Sequence, residues 1–172
     1  VQTCALPIFT DDLMNQPTVT VNNFIQANPT LPPARNLQSR FVNELARRED
    51  WRGLLAFSPD KPNATEAQCN YYYAKWATGQ QEEAWAGAKE LWLTGKNQPN
   101  ACDSLFSAWR ASGKQDPLSY LERIRLAMKA GNTRLVTTLA GQMPSDYQTI
   151  STAVIGLAND PNSVLKIGRA HV

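Results

Sequence analysis

Four glycines divide the middle of this 172-residue sequence into segments of nearly equal length. Gly79, Gly95, Gly113 and Gly131 are 16, 18 and 18 residues apart. Glycine commonly occupies the left-handed position after a helix, so each interval predicts one helix with its turn. Two helices then take 34 to 36 residues, close to the period of about 34 residues in helical-hairpin repeats. The spacing predicts an all-α fold, a superhelix (solenoid) of antiparallel helix hairpins that is degenerate and tetratricopeptide-like.

Apolar residues recur at helical spacing within these segments. One helix face carries a cysteine and three aromatic residues at i, i+3, i+4 and i+7, and an equivalent face begins with a cysteine 33 residues later. The two faces consist of Cys69, Tyr72, Tyr73 and Trp76, and of Cys102, Leu105, Phe106 and Trp109. No segment alternates apolar and polar residues over a useful length, which argues against strands.

Further patterns predict where helices begin and which sides are buried. Asp116 before Pro117, and Asn132 before an apolar stretch, are typical of helix N-termini. Capping boxes, in which two side chains satisfy each other's backbone N–H, are predicted for Thr65 with Gln68 and for Ser145 with Gln148. The predicted buried stripes are Leu37, Phe41, Val42 and Leu45 in an early helix, and Leu118, Leu121, Ile124 and Met128 in a later one.

The two ends differ from the rest of the sequence. Residues 1–8 (VQTCALPI) and 166–172 (KIGRAHV) resemble translated sequencing-adapter DNA, because codons exist for which the two strings are reverse complements over most of their length. We therefore expect an adapter-derived tail at 1–8, an α-superhelical domain at 9–165 and a second adapter-derived tail at 166–172. Adapter-derived tails do not contribute to a fold, so Cys4 in the first tail and His171 in the second take no part in the predicted structure.

The composition is that of an ordinary globular protein. Hydrophobic residues make up 42% and charged residues 19%, and no apolar run approaches the ~18 residues of a membrane-spanning helix. Residues 9–165 contain 15 basic and 15 acidic residues, so we expect no nucleic-acid partner, because nucleic-acid binders usually show a basic excess. These residues include no histidine, which excludes His-based catalytic triads and His metal sites among them. We expect no metal and no cofactor.

Aromatic residues are concentrated between residues 71 and 92. They are Tyr71, Tyr72, Tyr73, Trp76, Trp85 and Trp92. Such residues can stack on sugar rings or pack between helices, and most of them stand at the spacing of a buried core, so both interpretations stay open. Tyr71 lies off the predicted stripe. We therefore expect Tyr71 to face outward, as the candidate for stacking on a glycan.

Several stretches resemble the soluble lytic murein transglycosylases, and the similarity runs from about Asp11 to Leu165. They are FVNELARREDWRGLLAFSPDKP (41–62), AQCNYYYAKWATGQQEEAWAGAKELWLTG (67–95), NACDSLFSAWRASGKQDPLSYLERIRLAMKAGNT (100–133) and AGQMPSDYQTI (140–150). The resemblance implies a fragment of the large α-superhelical domain that precedes the catalytic domain in this family. It also implies a periplasmic parent enzyme that cleaves the MurNAc–GlcNAc bond of peptidoglycan and leaves 1,6-anhydro-MurNAc ends. The expected partners are then peptidoglycan glycan strands, with other cell-wall enzymes as further candidates.

The family chemistry needs one glutamic acid that acts first as general acid and then as base. The resemblance places it in a Glu-Ser pair that is followed later by a Gly-Leu-Met-Gln motif. In this sequence no glutamate precedes a serine, and Gly-Leu-Met does not occur. No catalytic residue can be carried over, so we expect a non-catalytic scaffold, inactive alone, that could guide a glycan strand. The alternative is an independent helical-repeat module that binds proteins.

Cys69 and Cys102 form an even pair once Cys4 is set aside. They stand at the same phase of two helices one repeat apart, and the resemblance points to the oxidising periplasm, where disulfides persist. Repeats of this kind pack equivalent helices side by side, which makes the required Cα separation of about 4.4–6.8 Å feasible. We predict a Cys69–Cys102 disulfide, with two buried free thiols as the alternative.

Overall fold

In a computed structural model, which describes residues 15–160 and residue 162, every regular element is a helix. The elements are α1 (Thr18–Ala27), α2 (Pro32–Arg47), α3 (Trp51–Phe57), α4 (Thr65–Ala77), α5 (Gln81–Trp92), α6 (Ala101–Ala111), α7 (Leu118–Lys129), α8 (Thr133–Gly141) and α9 (Gln148–Asn159), with a short 3-10 helix (Ser145–Tyr147) before α9. The predicted all-α class is confirmed. The predicted tails at 1–8 and 166–172 lie outside the described residues, and the tetratricopeptide-like detail stays a prediction.

The punctuating glycines lie at the helix ends, as the spacing predicts. Gly79, Gly113 and Gly131 have φ angles of +91°, +70° and +69°, a conformation that is strained for residues with a Cβ. Gly95 is needed for a different reason. A Cβ at this position would collide with the carbonyl oxygen of Leu126, so the glycine allows the chain before α6 to approach the backbone of α7.

The predicted start at Asn132 is confirmed, since Asn132 is the N-cap of α8. At the other predicted start, α7 begins one residue later than expected, with Pro117 as its N-cap, and the Asp116 side chain still bonds the first N–H of the helix. The Asp116 carboxylate accepts a hydrogen bond from the Leu118 N–H at 2.9 Å, and Asn132 Oδ1 accepts one from the Leu135 N–H at 3.2 Å. Each bond satisfies one of the backbone donors that a helix N-terminus leaves without an intrahelical partner.

Both predicted capping boxes are wrong. Thr65 is already the first residue of α4, and its N-cap, Ala64, has no side chain that can accept a hydrogen bond. The Gln68 amide instead donates to the carbonyl oxygen of Pro62 at 2.8 Å, because the turn before α4 places that carbonyl within reach. At the second position, Ser145–Tyr147 form the 3-10 helix. Gln148 is therefore the first residue of α9, and the N-cap of α9 is Tyr147 instead of Ser145.

The chain divides into two units, which are described separately. Of the described residues, the first contains 15–88 and 99–108, and the second contains 89–98, 109–160 and 162. The core of the first unit includes the predicted stripe of Leu37, Phe41, Val42 and Leu45, which is confirmed, together with Val21, Leu54, Phe57, Ala67, Tyr71 and Ala74. The buried apolar residues of the second unit include Trp92, Trp109, Tyr120, Ile124, Ala127, Leu135, Val136, Leu139 and Ala140.

The stripe predicted for α7 is wrong in part. Leu118 and Met128 are 58% and 37% exposed. The residues of α7 that are buried are Ser119, Tyr120, Arg123, Ile124 and Ala127. This face is chosen by its partner, because Tyr120 packs edge-to-face on Trp92 with 5.1 Å between ring centroids.

Among the described residues, no helix combines the length and the apolar character that crossing a membrane requires.

Candidate functional site

The first unit contains an open cleft of about 460 Å³ with a mixed polar and aromatic lining. We call it the main cleft. Asn43 and Arg47 come from the second half of α2, Trp51 begins α3, and Glu66, Asn70 and Tyr73 lie along α4. The volume is within the range of small-molecule sites, about 300–1,000 Å³. Its lining combines flat apolar rings with amides and charges.

A disulfide stands directly beside the main cleft. Cys69 on α4 and Cys102 on α6 are bonded, with a Cα–Cα separation of 4.8 Å, and both residues are completely buried. The predicted Cys69–Cys102 bridge is therefore confirmed. The neighbours of these cysteines in sequence, Asn70 and Ala101, both line the cleft. The bridge thus fixes the spacing between two of the helices that form the cleft walls.

An amide pair joins two other walls. Asn70 Nδ2 on α4 donates to Asn43 Oδ1 on α2 at 2.9 Å. A primary amide carries two N–H donors and an oxygen with two lone pairs, so this one bond leaves further hydrogen-bonding capacity on both side chains. Both residues are half-buried, which leaves their amides accessible to a ligand in the cleft.

A row of half-buried aromatic rings begins in the main cleft. Trp51 and Tyr73 meet edge-to-face at 4.9 Å, Tyr73 and Trp76 lie 5.0 Å apart, and Trp76 and Trp85 lie 6.4 Å apart. Trp51 and Tyr73 line the main cleft, whereas Trp76 and Trp85 lie beyond it. Each ring keeps part of its surface in solvent, so packing and ligand contact are both possible for this row.

A second opening of about 290 Å³, the side cleft, adjoins the first. Glu49 and Trp51 line both clefts. Glu49 has φ of +57°, and among the described residues it is the one non-glycine residue with positive φ. Asp50, which follows it, accepts a hydrogen bond from the Gly53 N–H at 2.9 Å and caps α3. The strained turn at Glu49 therefore presents Trp51 at the border of the two clefts.

Three charged side chains of α2 and its C-terminal end, beside the main cleft, form one tight cluster. Glu44 lies 2.8 Å from Arg47 Nη2 and 3.2 Å from Arg48 Nε. Burial raises the pKa of Glu44, but the hydrogen bonds from Arg47 and Arg48 outweigh this and hold the pKa below its usual range. A general acid needs the opposite shift. The two arginines therefore favour the charged form of Glu44.

The prediction that Tyr71 faces outward is wrong. Tyr71 is only 6% exposed, and its phenol donates to the carbonyl oxygen of Pro59 at 3.1 Å. Lys75 Nζ lies 5.4 Å from the centroid of its ring. The buried face of α4 contains Ala67 and Ala74 together with Tyr71, so the ring packs into the core and offers no open face to a sugar.

The second unit contains a buried cation that the sequence did not predict. Arg123 is 4% exposed, and its Cζ lies 4.3 Å from the centroid of the Trp92 ring. Trp92 Nε1 donates to the carbonyl oxygen of Ser119 at 3.0 Å, which fixes the ring that Arg123 covers. Burial lowers the pKa of Arg123 to about 10, so the side chain is still charged at neutral pH. This cation–π contact supports the core of the unit.

Within the part of the chain that the structure describes, no cluster of three or more His, Cys, Asp or Glu side chains is placed to bind a metal ion. The described residues also include no histidine, so the cleft contains no His-based pair of nucleophile and base. The rings, amides and mixed charges of the cleft offer stacking surfaces and hydrogen-bonding groups to a ligand.

Comparison with known proteins gives a consistent result. The chain is 83% identical over 160 residues to the soluble lytic murein transglycosylase of Escherichia coli K12, and 80% identical to that of Salmonella typhimurium. Each match covers 93% of this chain and 25% of the relative. No protein-family model matches the chain.

Solved structures agree with the sequence matches. The crystal structure of the 70-kDa soluble lytic transglycosylase of Escherichia coli superposes with a TM-score of 0.90 at 82% identity. An inactive mutant of the lytic transglycosylase Slt from Pseudomonas aeruginosa superposes with a TM-score of 0.81 at 31% identity. Each superposition covers 94% of this chain and 26% of the solved chain. The chain is therefore a relative of the soluble lytic murein transglycosylases and corresponds to about a quarter of their length.

Proposed function

We propose that this chain is a non-catalytic helical part of a periplasmic enzyme that cleaves the MurNAc–GlcNAc bond of peptidoglycan and leaves 1,6-anhydro-MurNAc ends. The observation that carries the proposal is the 83% identity over 93% of the chain to a soluble lytic murein transglycosylase. Such identity, spread over nearly all of the described helices, supports the same role in the parent protein. The proposed role is that of a scaffold which also contacts glycan strands.

The carboxylates of the described residues support the non-catalytic assignment. The family mechanism needs a glutamic acid whose proton is held in a sheltered pocket. Glu44 is buried but is paired with two arginines that favour its charged form. Glu66 and Glu49 line the main cleft but are exposed to solvent. None of these residues precedes a serine, as the family pattern requires.

Purified murein sacculi provide the test. The chain alone and the full-length parent would be incubated with sacculi, and the soluble products would be analysed by mass spectrometry for anhydromuropeptides. We expect release by the parent and none by the chain above the buffer control. A parent variant with its Glu-Ser glutamate replaced by glutamine is the matched control, and we expect it to release none. Release by the chain alone would contradict the non-catalytic role.

A longer reading of the coding DNA separates this proposal from an independent protein-binding module. We expect the reading frame to continue beyond residue 165 into a lysozyme-like domain that carries the Glu-Ser and Gly-Leu-Met-Gln motifs. A frame that closes without such a domain would favour the independent module.

A further inference from the structure

We propose that the main cleft and the side cleft together bind the uncharged sugar backbone of an N-acetylated glycan strand, with Trp51 and Tyr73 as the stacking pair. The proposal rests on the proposed function and adds to it a location and a ligand chemistry. It is carried by four features of the first unit, namely the shape of the ring pair, the amides, the charge and the arrangement of the two clefts.

The ring pair offers two differently oriented aromatic surfaces to a sugar ring. Trp51 and Tyr73 meet at an interplanar angle of 63° with 4.9 Å between centroids, so together they form a corner and not a flat plate. Both rings are half-buried, which means that each is held by packing while part of its surface stays accessible. The C–H face of a pyranose can lie on one ring while its edge contacts the other.

The polar groups beside the rings match the polar groups of an N-acetylated sugar. Asn43 and Asn70 hold each other through one hydrogen bond of 2.9 Å and keep both donors and acceptors for a ligand. An N-acetyl group is itself an amide with one donor and one acceptor, and hydroxyl groups both donate and accept. The pair can therefore bind such groups without taking up a charge.

The charge of the clefts argues against an anionic ligand. The main cleft is lined by Arg47, Glu49 and Glu66, and the side cleft adds Asp50 and Arg52. The sum is one negative charge, and Arg47 is already bonded to a carboxylate outside the cleft. This charge gives no net attraction to nucleic acids or phosphate-rich polymers. A sugar backbone whose carboxyl groups are blocked as amides needs no such attraction.

The arrangement of the two clefts indicates a polymer. They share Glu49 and Trp51, and they measure about 460 and 290 Å³. Two adjacent openings on either side of one aromatic residue suit two consecutive sugar rings better than one compact small molecule. The Cys69–Cys102 bridge beside the main cleft holds its walls in place, which reduces the ordering cost of binding.

The test is an NMR titration of the nitrogen-15-labelled chain with tetra-N-acetylchitotetraose, an uncharged oligomer of N-acetylglucosamine that carries no peptide. The five tryptophans give five indole N–H signals, and Trp92, whose indole donates to the carbonyl oxygen of Ser119, is the internal reference. We expect a saturable shift of the Trp51 signal with a dissociation constant of about 1 mM or tighter, while the Trp92 signal stays in place. No saturable shift of Trp51 overturns the proposal.

Variants locate the site. Trp51→Phe keeps an aromatic ring but removes the indole, and Asn70→Asp keeps the size of the side chain. Binding to the variants is followed through the backbone amide signals that shift together with the Trp51 indole in the unsubstituted chain, and we expect each variant to raise the dissociation constant by about tenfold. Trp85→Phe is the matched control, because Trp85 belongs to the same row of rings but lines neither cleft. We expect it to leave the constant unchanged. Equal losses in Trp51→Phe and Trp85→Phe overturn the proposal, provided that far-UV circular dichroism shows all three variants folded.

A stem peptide without sugar is the second ligand in the titration. We expect no shift of Trp51 with it, and a shift with the peptide alone would overturn the assignment to the sugar backbone. The outcome is separable from the proposed function. If the full-length parent releases anhydromuropeptides but chitotetraose does not move Trp51, the cleft assignment fails and the parent function stands. If the parent releases none, the proposed function fails whatever the titration shows.

Discussion

Reduction of the Cys69–Cys102 bridge is the perturbation whose effect follows most directly from the structure. The bridge joins residues 33 positions apart. In the chain-entropy model, closing a loop of this length lowers the entropy of the unfolded chain and stabilises the fold by about 3.8 kcal/mol. In a protein of this size, 1 kcal/mol corresponds to about 2–4 °C in the melting temperature. We therefore expect reduction to lower the Tm by about 8–15 °C.

The surroundings of the bridge determine how it should be broken. Both cysteines are completely buried, so replacing them with alanine would also remove packed sulfur atoms and leave a cavity. Reduction keeps those atoms and removes only the covalent bond. The first comparison is therefore between the oxidised and the reduced chain, with Cys4 replaced by alanine in both so that no third thiol exchanges. The Cys69→Ala, Cys102→Ala double variant is the second comparison, and we expect it to be the least stable.

Urea unfolding followed by far-UV circular dichroism measures the effect. Thiol titration under denaturing conditions should find no free thiol before reduction and two after it. We expect the free energy of unfolding to fall by about 3.8 kcal/mol on reduction, with a larger m-value because the reduced unfolded chain exposes more surface. A loss below about 1 kcal/mol would refute the argument from loop entropy.

Substitutions at three further positions test separate parts of the fold. Asn132→Ala should lower the free energy of unfolding by at least about 1 kcal/mol because α8 loses its cap and the Nδ2 bonds to Gly95 O and Asn97 Oδ1 are also lost. Asn132→Asp keeps the cap acceptor but not those two bonds, so it should recover only part of the loss; urea unfolding compares the two. Glu44 has a lowered pKa in the folded state. The stability that it contributes is therefore fully present when the pH is above its ordinary pKa of 4.5, and it is lost as the pH falls through the folded-state pKa. The difference in urea midpoint between the wild type and Glu44→Gln should accordingly vanish in acid. Glu49→Gly should be more stable than Glu49→Ala by about 1 kcal/mol, because only glycine adopts a φ of +57° without strain; thermal unfolding of the two variants decides this.

The helices and the disulfide could be predicted because they depend on local sequence. Glycine after a helix and asparagine before one act within a single turn, which is why Gly79, Gly113 and Asn132 are found where the spacing places them. Cys69 and Cys102 could be paired because the same phase in two neighbouring repeats brings equivalent residues together. The disulfide prediction also needed the even cysteine count and the resemblance to periplasmic proteins, because helical phase by itself does not decide whether two cysteines are oxidised.

The orientation of α4 could not be predicted in this way. Aromatic residues occupy positions 71, 72, 73 and 76, so they lie on several sides of the helix and the period does not select one. The helix packs on α2 and α3 through Ala67, Tyr71 and Ala74, and the small alanines allow the close approach that buries Tyr71. The choice depends on the partner helices, which no pattern within α4 describes.

Arg123 and the main cleft were missed for a related reason. An arginine in an amphipathic helix is expected at the surface, and its burial here depends on Trp92, which lies on another helix. The cleft gathers Asn43, Trp51 and Asn70 from three helices, and none of these residues has a distinctive sequence context. A weak signal was present, because Trp51 follows Glu49 and Asp50, a short polar break between two helices that exposes the start of the second.

The position of the disulfide links it both to the stability of the fold and to ligand binding in the main cleft, and these two effects can be measured separately. Loop entropy acts only on the unfolded chain, so it predicts no change in the folded clefts when the bridge is reduced. The spacing of Asn70 on α4 and Ala101 on α6, however, is a property of the folded state that the bridge holds directly. If the reduced, still folded chain binds chitotetraose as tightly as the oxidised chain, the bridge acts through the unfolded state alone. If it binds more weakly, reciprocity requires that the bound oligosaccharide make the bridge harder to reduce by the same factor. The bridge would then be coupled to the binding site as well as being a stabiliser of the fold.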